Sequence, residues 1–288
     1  MILITGAAGK TGQAVIRALS KRAENVRALV FRAEQVSIAE ASGASEVLIG
    51  DMRDASIMTA ALAGIRALYH IPPNMSADEV PIGRNIITLA KSSGLEHFVY
   101  HSVFRPQIEA MPHHWRKMRF EEMLFSSGLV FTILQPTAYA QNIIGGLDQV
   151  QEDGRYSVPY GLDTSTSLVD LEDVAETAAI VLSAGDHAYA TYELVGMDAV
   201  SQDEIARILS ETLNLDVHAE TQPLDEWARD ARSAGLGEKQ IDGLVKMFQY
   251  YERYNFKGNS RVLKGLLGRE PTTLHEVITR EITQRHAG

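Results

Sequence analysis

Ile2-Leu3-Ile4-Thr5-Gly6-Ala7-Ala8-Gly9-Lys10-Thr11-Gly12-Gln13-Ala14-Val15-Ile16 opens the chain almost from its first residue. Three apolar residues read as a buried strand. Gln13 to Arg22 reads as a helix with Val15, Ile16 and Leu19 on one face. Between them lie glycines at a spacing of three. Gly6 permits a tight turn. Gly9 lets backbone approach a phosphate with no Cβ in the way. Gly12 is expected to let the helix lie close on the sheet. The bare N–H groups of Thr5 to Gly12, Ala8 and Thr11 included, and the positive end of the helix then face an anion. A glycine triplet is a weak signal alone. Placed between a first strand and a first helix, it becomes a nucleotide cradle.

The same alternation continues outward. Strands are expected at Val26 to Phe31, Glu46 to Ile49, Ala67 to Ile71, His97 to Tyr100 and Val130 to Leu134. Helices are expected at Ser56 to Leu62, Ile82 to Ser92 and Arg116 to Ser126. Strand–helix alternation means a parallel sheet covered on both faces, joined by right-handed crossovers. The expected class is α/β, a doubly wound parallel-sheet Rossmann fold with a smaller, mostly helical C-terminal substrate lobe. The dinucleotide-binding part is placed at 1–135, with 166–185 (the helix Glu172 to Leu182) returning to it. The substrate lobe is placed at 136–288, where Ser201 and Glu204 carry a capping-box pattern.

Composition narrows the function. With 288 residues, 27 basic and 37 acidic side chains and a net charge of −10, the chain does not bind nucleic acid by bulk charge. It has no cysteine, which excludes disulfides, thiol nucleophiles, thiolate zinc and iron–sulfur sites. No basic n-region precedes the first strand, so a signal peptide is not expected and a cytoplasmic location is. Residues 123–147 carry no charge. They also hold Ser126, Gln135, Pro136 and Asn142, and are read as helix end, strand and polar loop, not a membrane span.

About 20 residues past Gly12 the second strand ends in Phe31-Arg32-Ala33. An acid there would bind a ribose 2′-hydroxyl and repel a 2′-phosphate. Arg32 can clamp that phosphate, and Lys10 adds charge nearby, so NADP(H) is favoured, with NAD(H) left open by Glu34. Asp51 and Met52 follow the third strand, where adenine contacts are expected. A helix N-cap is the plainer role for Asp51.

By these residues the chain resembles the NmrA-like family of atypical short-chain dehydrogenase/reductases, over nearly its whole length. The loop Thr5 to Gly12, Arg32 and His101-Ser102 fit. Lys117 to Leu124 resembles the family's Lys-x-x-Val-Glu-x-x-Leu helix. Ser127 to Pro136 followed by Asn142, Val169-Asp170 to Ala175, Tyr192 to Gly196 and Leu267 to Leu274 resemble later segments. The resemblance implies that Lys117 reaches the nicotinamide ribose. It also implies quinone or dye reduction, or dinucleotide sensing. One departure stands out. Relatives with Tyr-x-x-x-Lys have tyrosine where this chain has His113.

In a Rossmann sheet, ligands lie beyond the carboxyl ends of the strands. His70, Ile71 and Pro72, then His101 and Ser102, then Pro136, Tyr139 and Asn142 are therefore expected around the nicotinamide. Ser102 either hydrogen-bonds a substrate oxygen or holds its loop. His113 is the candidate proton donor in place of the tyrosine. Lys117 has a plainer reading as a surface partner of Glu121. No metal is expected at His113-His114, because adjacent helical histidines diverge. The stripe Phe248, Tyr251 and Tyr254 reads as packing or as a substrate wall, with packing preferred; the loop Val103 to Pro112 reads as a lid. The leading expectation is an NAD(P)H-dependent reductase of a quinone-like or conjugated aromatic small molecule, monomer or homodimer. The alternatives are a non-catalytic redox sensor with a protein partner, and a tailoring monooxygenase of aromatic quinones and hydroquinones.

Overall fold

A computed structural model describes residues 1–287. Strands β1 (Ile2–Ile4), β2 (Val26–Val30), β3 (Glu46–Ile49), β4 (Ala67–His70), β5 (His97–His101), β6 (Phe131–Pro136) and β7 (Ala190–Leu194) form one parallel sheet in the order β7-β6-β5-β4-β1-β2-β3. The order reverses between β1 and β4, where a Rossmann sheet receives its ligand. Six helices flank it: α1 (Lys10–Lys21), α2 (Val36–Ala41), α3 (Ala55–Leu62), α4 (Glu79–Ser92), α5 (Pro112–Phe125) and α6 (Leu171–Ser183). The doubly wound fold read from the sequence is the observed one.

Strand alternation assigns the layers. Leu3, Leu68, Phe98, Tyr100 and Ile133 point one way and share a core with Met58, Ile86, Phe120 and Leu124 of α3, α4 and α5. Helix α6 packs on β4, β5, β6 and α1. Two helices start a turn earlier than the apolar spacing suggests. Pro81 lies in the first turn of α4 and Pro112 heads α5, where a missing N–H breaks no helical bond. Glu79 and His113 therefore belong to helices, not loops. Strand β7 escaped the sequence reading because it is an edge strand with exposed Thr191 and Glu193.

Chain contacts divide the molecule into a Rossmann unit (1–109, 113–136 and 171–194) and a second unit holding 110–112, 137–170 and the chain from Val195 onward. The second unit has two short parallel pairs, Ala138–Tyr139 with Leu168–Val169 and Arg155–Val158 with His218–Thr221. Helices make up most of the rest, the longest being Glu238–Tyr254. Two of the three stripe residues pack internally: Phe248 meets Tyr160 and Trp227, and Tyr251 stacks on Phe256, while Tyr254 is exposed. Among the described residues no helix is long and apolar enough to cross a membrane.

Asp170 is the buried charge of this second unit. It is fully inaccessible and accepts from both terminal nitrogens of Arg280, each at 2.8 Å, and from Gln141 at 2.7 Å. Removing one member of such a pair strands the other. Arg280→Met is expected to cost about 3–5 kcal/mol in denaturant unfolding, and adding Asp170→Asn to recover part of it. A loss below about 1 kcal/mol would show that the pair behaves as a surface bridge.

Candidate active site

Gly6 turns the chain with φ +62°, and a Cβ there would press on Ile71 at 3.2 Å. A Cβ on Gly12 would lie 2.5 Å from the Gly6 carbonyl oxygen and 2.6 Å from Ala7 Cα. Gly12 is thus required by the loop curling over the first turn of α1, rather than by the helix settling on the sheet as the sequence suggested. Gln13 donates to the Ala8 carbonyl at 2.8 Å and holds the curl. Thr5 is fully buried; its hydroxyl accepts from the Ile71 N–H at 2.9 Å and meets His70 Nδ1 at 2.9 Å, tying the ends of β1 and β4. Gly9 caps α1 with no side-chain bond, and no acid occupies the first turn. Gly9 and Lys10 are exposed. The helix end is bare, positive and open, which fits a pyrophosphate.

At the end of β2, the Phe31 and Arg32 N–H groups both donate to Gln35 Oε1 at 3.0 Å. Among the described residues the Arg32 guanidinium and the Lys10 ammonium make no ion pair or hydrogen bond. Both are exposed. Asp51 is engaged by Arg53, at 3.0 and 2.9 Å, and those bonds hold its carboxyl below the usual range. It is not a helix cap. Asp54 caps α3, accepting from the Ser56 N–H at 2.7 Å. Met52 packs on the core beside it.

Under α4 and α5, Tyr100 of β5 and Ser102 just after it each meet a buried carboxylate. Tyr100 stacks on Phe120 with centroids 4.0 Å apart. Its hydroxyl donates to Glu79 at 2.5 Å, and Lys117 donates to the same oxygen at 3.0 Å. Lys117 is therefore partnered across helices by Glu79, not along its own helix by Glu121. Ser102 donates to Glu121, which also accepts from Gln135 at 2.9 and 3.0 Å. Burial raises the Glu121 carboxyl above its ordinary range, against those hydrogen bonds and the Lys117 charge. Ser102 is 3% exposed and its hydroxyl bonds to Glu121, an arrangement that supports its loop.

Four histidines line this region. Burial, with the Lys117 charge adding to it, pushes His70, His101 and His113 down to about 3 and His114 to about 4. All four are neutral imidazoles near pH 7, so His113 carries no acidic proton there. His113 Nδ1 and His70 Nε2 are buried without a hydrogen-bond partner among the described residues. The start of the loop after β5 is tied down: Phe104 is fully buried and its N–H donates to the Pro136 carbonyl at 2.8 Å.

Of the residues singled out by sequence, the Rossmann unit assembles Thr5 through Gly12, Arg32, Asp51, Met52, His70, Ile71, Pro72, Ser102, His113, Lys117 and Pro136. Tyr139 and Asn142 belong to the second unit. Glu79, Tyr100 and Gln135 were missed. The alternation Phe98, Tyr100, Ser102 could have revealed Tyr100; Glu79 was hidden by starting its helix after Pro81.

The NmrA-like family model matches residues 1–283. The chain belongs to the NmrA-like family. Escherichia coli quinone oxidoreductase 2 is 29% identical over 281 residues, covering 97% of this chain and 98% of the relative. The NAD(P)H azoreductase of Xenophilus azovorans is 26% identical over 250 residues, 86% of each. Among solved structures, the E. coli NADPH-dependent quinone oxidoreductase complexed with NADPH superposes with a TM-score of 0.86 at 27% identity, covering 98% of this chain and 100% of that one. Citrobacter sp. triphenylmethane reductase complexed with NADP(H) gives 0.86 at 25% identity, covering 97% and 99%.

Histidines neutral in this NmrA-like fold and protonated near their ordinary 6.5 when unfolded make unfolding take up protons. Stability is full above about pH 6.5 and is lost as pH falls toward the folded values. Each histidine contributes a slope of about 1.4 kcal/mol per pH unit in that window. Denaturant unfolding between about pH 7 and pH 5 is expected to show the slope of two or more such groups. A flat profile would place these rings in water.

Proposed function

We propose that this NmrA-like chain is an NADPH-dependent reductase that passes a hydride to a quinone-like or other conjugated aromatic acceptor. It is an NAD(P)H-dependent oxidoreductase, as its relatives over nearly the whole chain support. One observation carries the finer reading. Around the carboxyl ends of β4 and β5, the histidines are neutral and the Ser102 proton is held by Glu121. The Lys117 ammonium there is bound by Glu79.

NADPH, when bound, supplies the hydride. The bend Thr5 to Gly12 and the N-terminal end of α1 hold the pyrophosphate, although the Thr5, Ala7 and Gly9 N–H groups are spent within the protein on Tyr69, Leu29 and Gly6. Arg32, with Lys10, binds the 2′-phosphate, and Asp51 and Met52 border the adenine. Lys117 donates to the nicotinamide ribose. Ile71 and Pro72, anchored through Thr5 and His70, shape the nicotinamide end together with Pro136. His113 acts as a neutral hydrogen-bonding group whose buried Nδ1 has no protein partner among the described residues. An ordinary ketone needs a proton as hydride arrives. A quinone spreads the charge over its ring, and a cationic dye is neutralised, so solvent can complete the reaction afterwards.

The missing proton donor also favours a second reading, a dinucleotide sensor that does not turn over. Substrate-dependent NADPH oxidation across quinones, dyes and enones separates the two. We expect turnover with quinones or dyes and none with simple ketones. Tight NADPH binding without turnover on the whole panel, and with a ligand-dependent protein partner, would establish the sensor. Oxygen uptake coupled to hydroxylated product would indicate the monooxygenase instead. Arg32→Glu is expected to weaken NADPH binding about tenfold or more, about 1.4 kcal/mol, while NADH binding changes far less. Equal losses for both in calorimetry would remove Arg32 from the 2′-phosphate.

A further inference from the structure

The most deeply placed carboxylate near Lys117 comes from a helix that the expected site did not include. Gly83 lies one turn after Glu79 on α4. A Cβ on Gly83 would fall 2.4 Å from the Phe120 ring, so only glycine lets α4 lie this close to the stacked Phe120 and Tyr100. That approach brings Glu79, on the same helical face, to the polar end of the stack. Glu79 is 1% exposed. Its Oε1 receives the Tyr100 hydroxyl at 2.5 Å and the Lys117 ammonium at 3.0 Å. The ammonium also stands 5.6 Å from the centre of the Tyr100 ring. Glu79 is its one hydrogen-bond partner among the described residues.

We propose that Glu79, itself clamped by Tyr100, is the positioning residue for Lys117, fixing the ammonium in one place and leaving its other N–H donors for the cofactor ribose. The proposal rests on the reading of Lys117 as a cofactor-holding residue. A lysine head is a compact charge on a four-carbon stem and has no preferred geometry of its own. The groups facing it offer no substitute anchor. His70 of β4, His101 of β5 and His113 and His114 of α5 are uncharged, and Glu121 is occupied by Ser102 and Gln135. Tyr100 stays a donor, since burial and the neighbouring Glu79 both oppose its ionisation. Small errors in the placement of a reacting group reduce turnover more than binding.

The test is a double-substitution cycle on the full chain, read by steady-state kinetics with NADPH and a quinone, and by thermal melting. Glu79→Gln keeps the shape and removes the charge. It is expected to lower kcat about tenfold or more while KM for NADPH stays within about threefold. In the Lys117→Met background, the same substitution should change kcat less than about twofold and raise the melting temperature. Tyr100→Phe keeps the ring stack and should give a smaller kcat loss that also vanishes without Lys117. It serves in place of Glu79→Gln if that variant does not fold. Equal kcat losses in both backgrounds, or none in either, would overturn the proposal. Full kcat in Lys117→Met overturns it while the reductase reading stands. A wild-type protein that neither binds nor oxidises NADPH overturns both.

Discussion

The Rossmann unit depends on one close approach: the Gly6 carbonyl lies where a Cβ on residue 12 would have to be. That contact closes the bend between β1 and α1. It aims the first N–H groups of the helix outward past Gly9 and brings Thr5 against Ile71 and His70. A larger residue at position 12 would open the bend and move the cradle together with the end of β4. The glycine bend and the end of β4 are thus set by the same few atoms.

Beneath that bend, charge is arranged so that little of it is loose. Each buried carboxylate near the site has a stated partner: Glu79 takes Tyr100 and Lys117, and Glu121 takes Ser102 and Gln135. Histidines fill the rest as neutral rings packed with aromatics, His70 lying against Phe120 with centroids 5.4 Å apart. Buried charges without such partners would be costly, and neutral imidazoles avoid the cost. The result is a site with hydrogen-bonding capacity and very little acid–base capacity. In contrast, Arg32 after β2 and Lys10 at the head of α1 are exposed cations with no protein partner among the described residues.

How far the sequence could be read follows from which signals are local. Gly6, Gly9 and Gly12 announce themselves by spacing, and buried strands such as Val26–Val30 by unbroken apolar runs, so the fold was legible. The partnerships were not. Lys117 and Glu121 are four apart on one helix, and the sequence alone pairs them. The real partner of Lys117 is 38 residues away, on a helix whose start Pro81 disguised. Ser102 looks like a free hydroxyl until Glu121 is seen above it. Tertiary packing decides who bonds to whom, and no periodicity encodes that. His113 shows the same limit: its place four residues before Lys117 suggested an acid, but burial makes it a neutral ring.

These arrangements bear on one another. A site that kept tyrosine at position 113 could use a lysine-lowered phenol as its acid, and the lysine would then serve two masters. With His113 neutral, Lys117 is relieved of acid catalysis, and an anionic partner becomes tolerable: Glu79 would have opposed a lysine asked to promote phenol ionisation, because a carboxylate 3.0 Å from the ammonium offsets its field. Loss of the phenol and presence of Glu79 are consistent with each other on electrostatic grounds. Together they fit an acceptor whose electrons, not its protons, limit the reaction, which is what a conjugated ring provides.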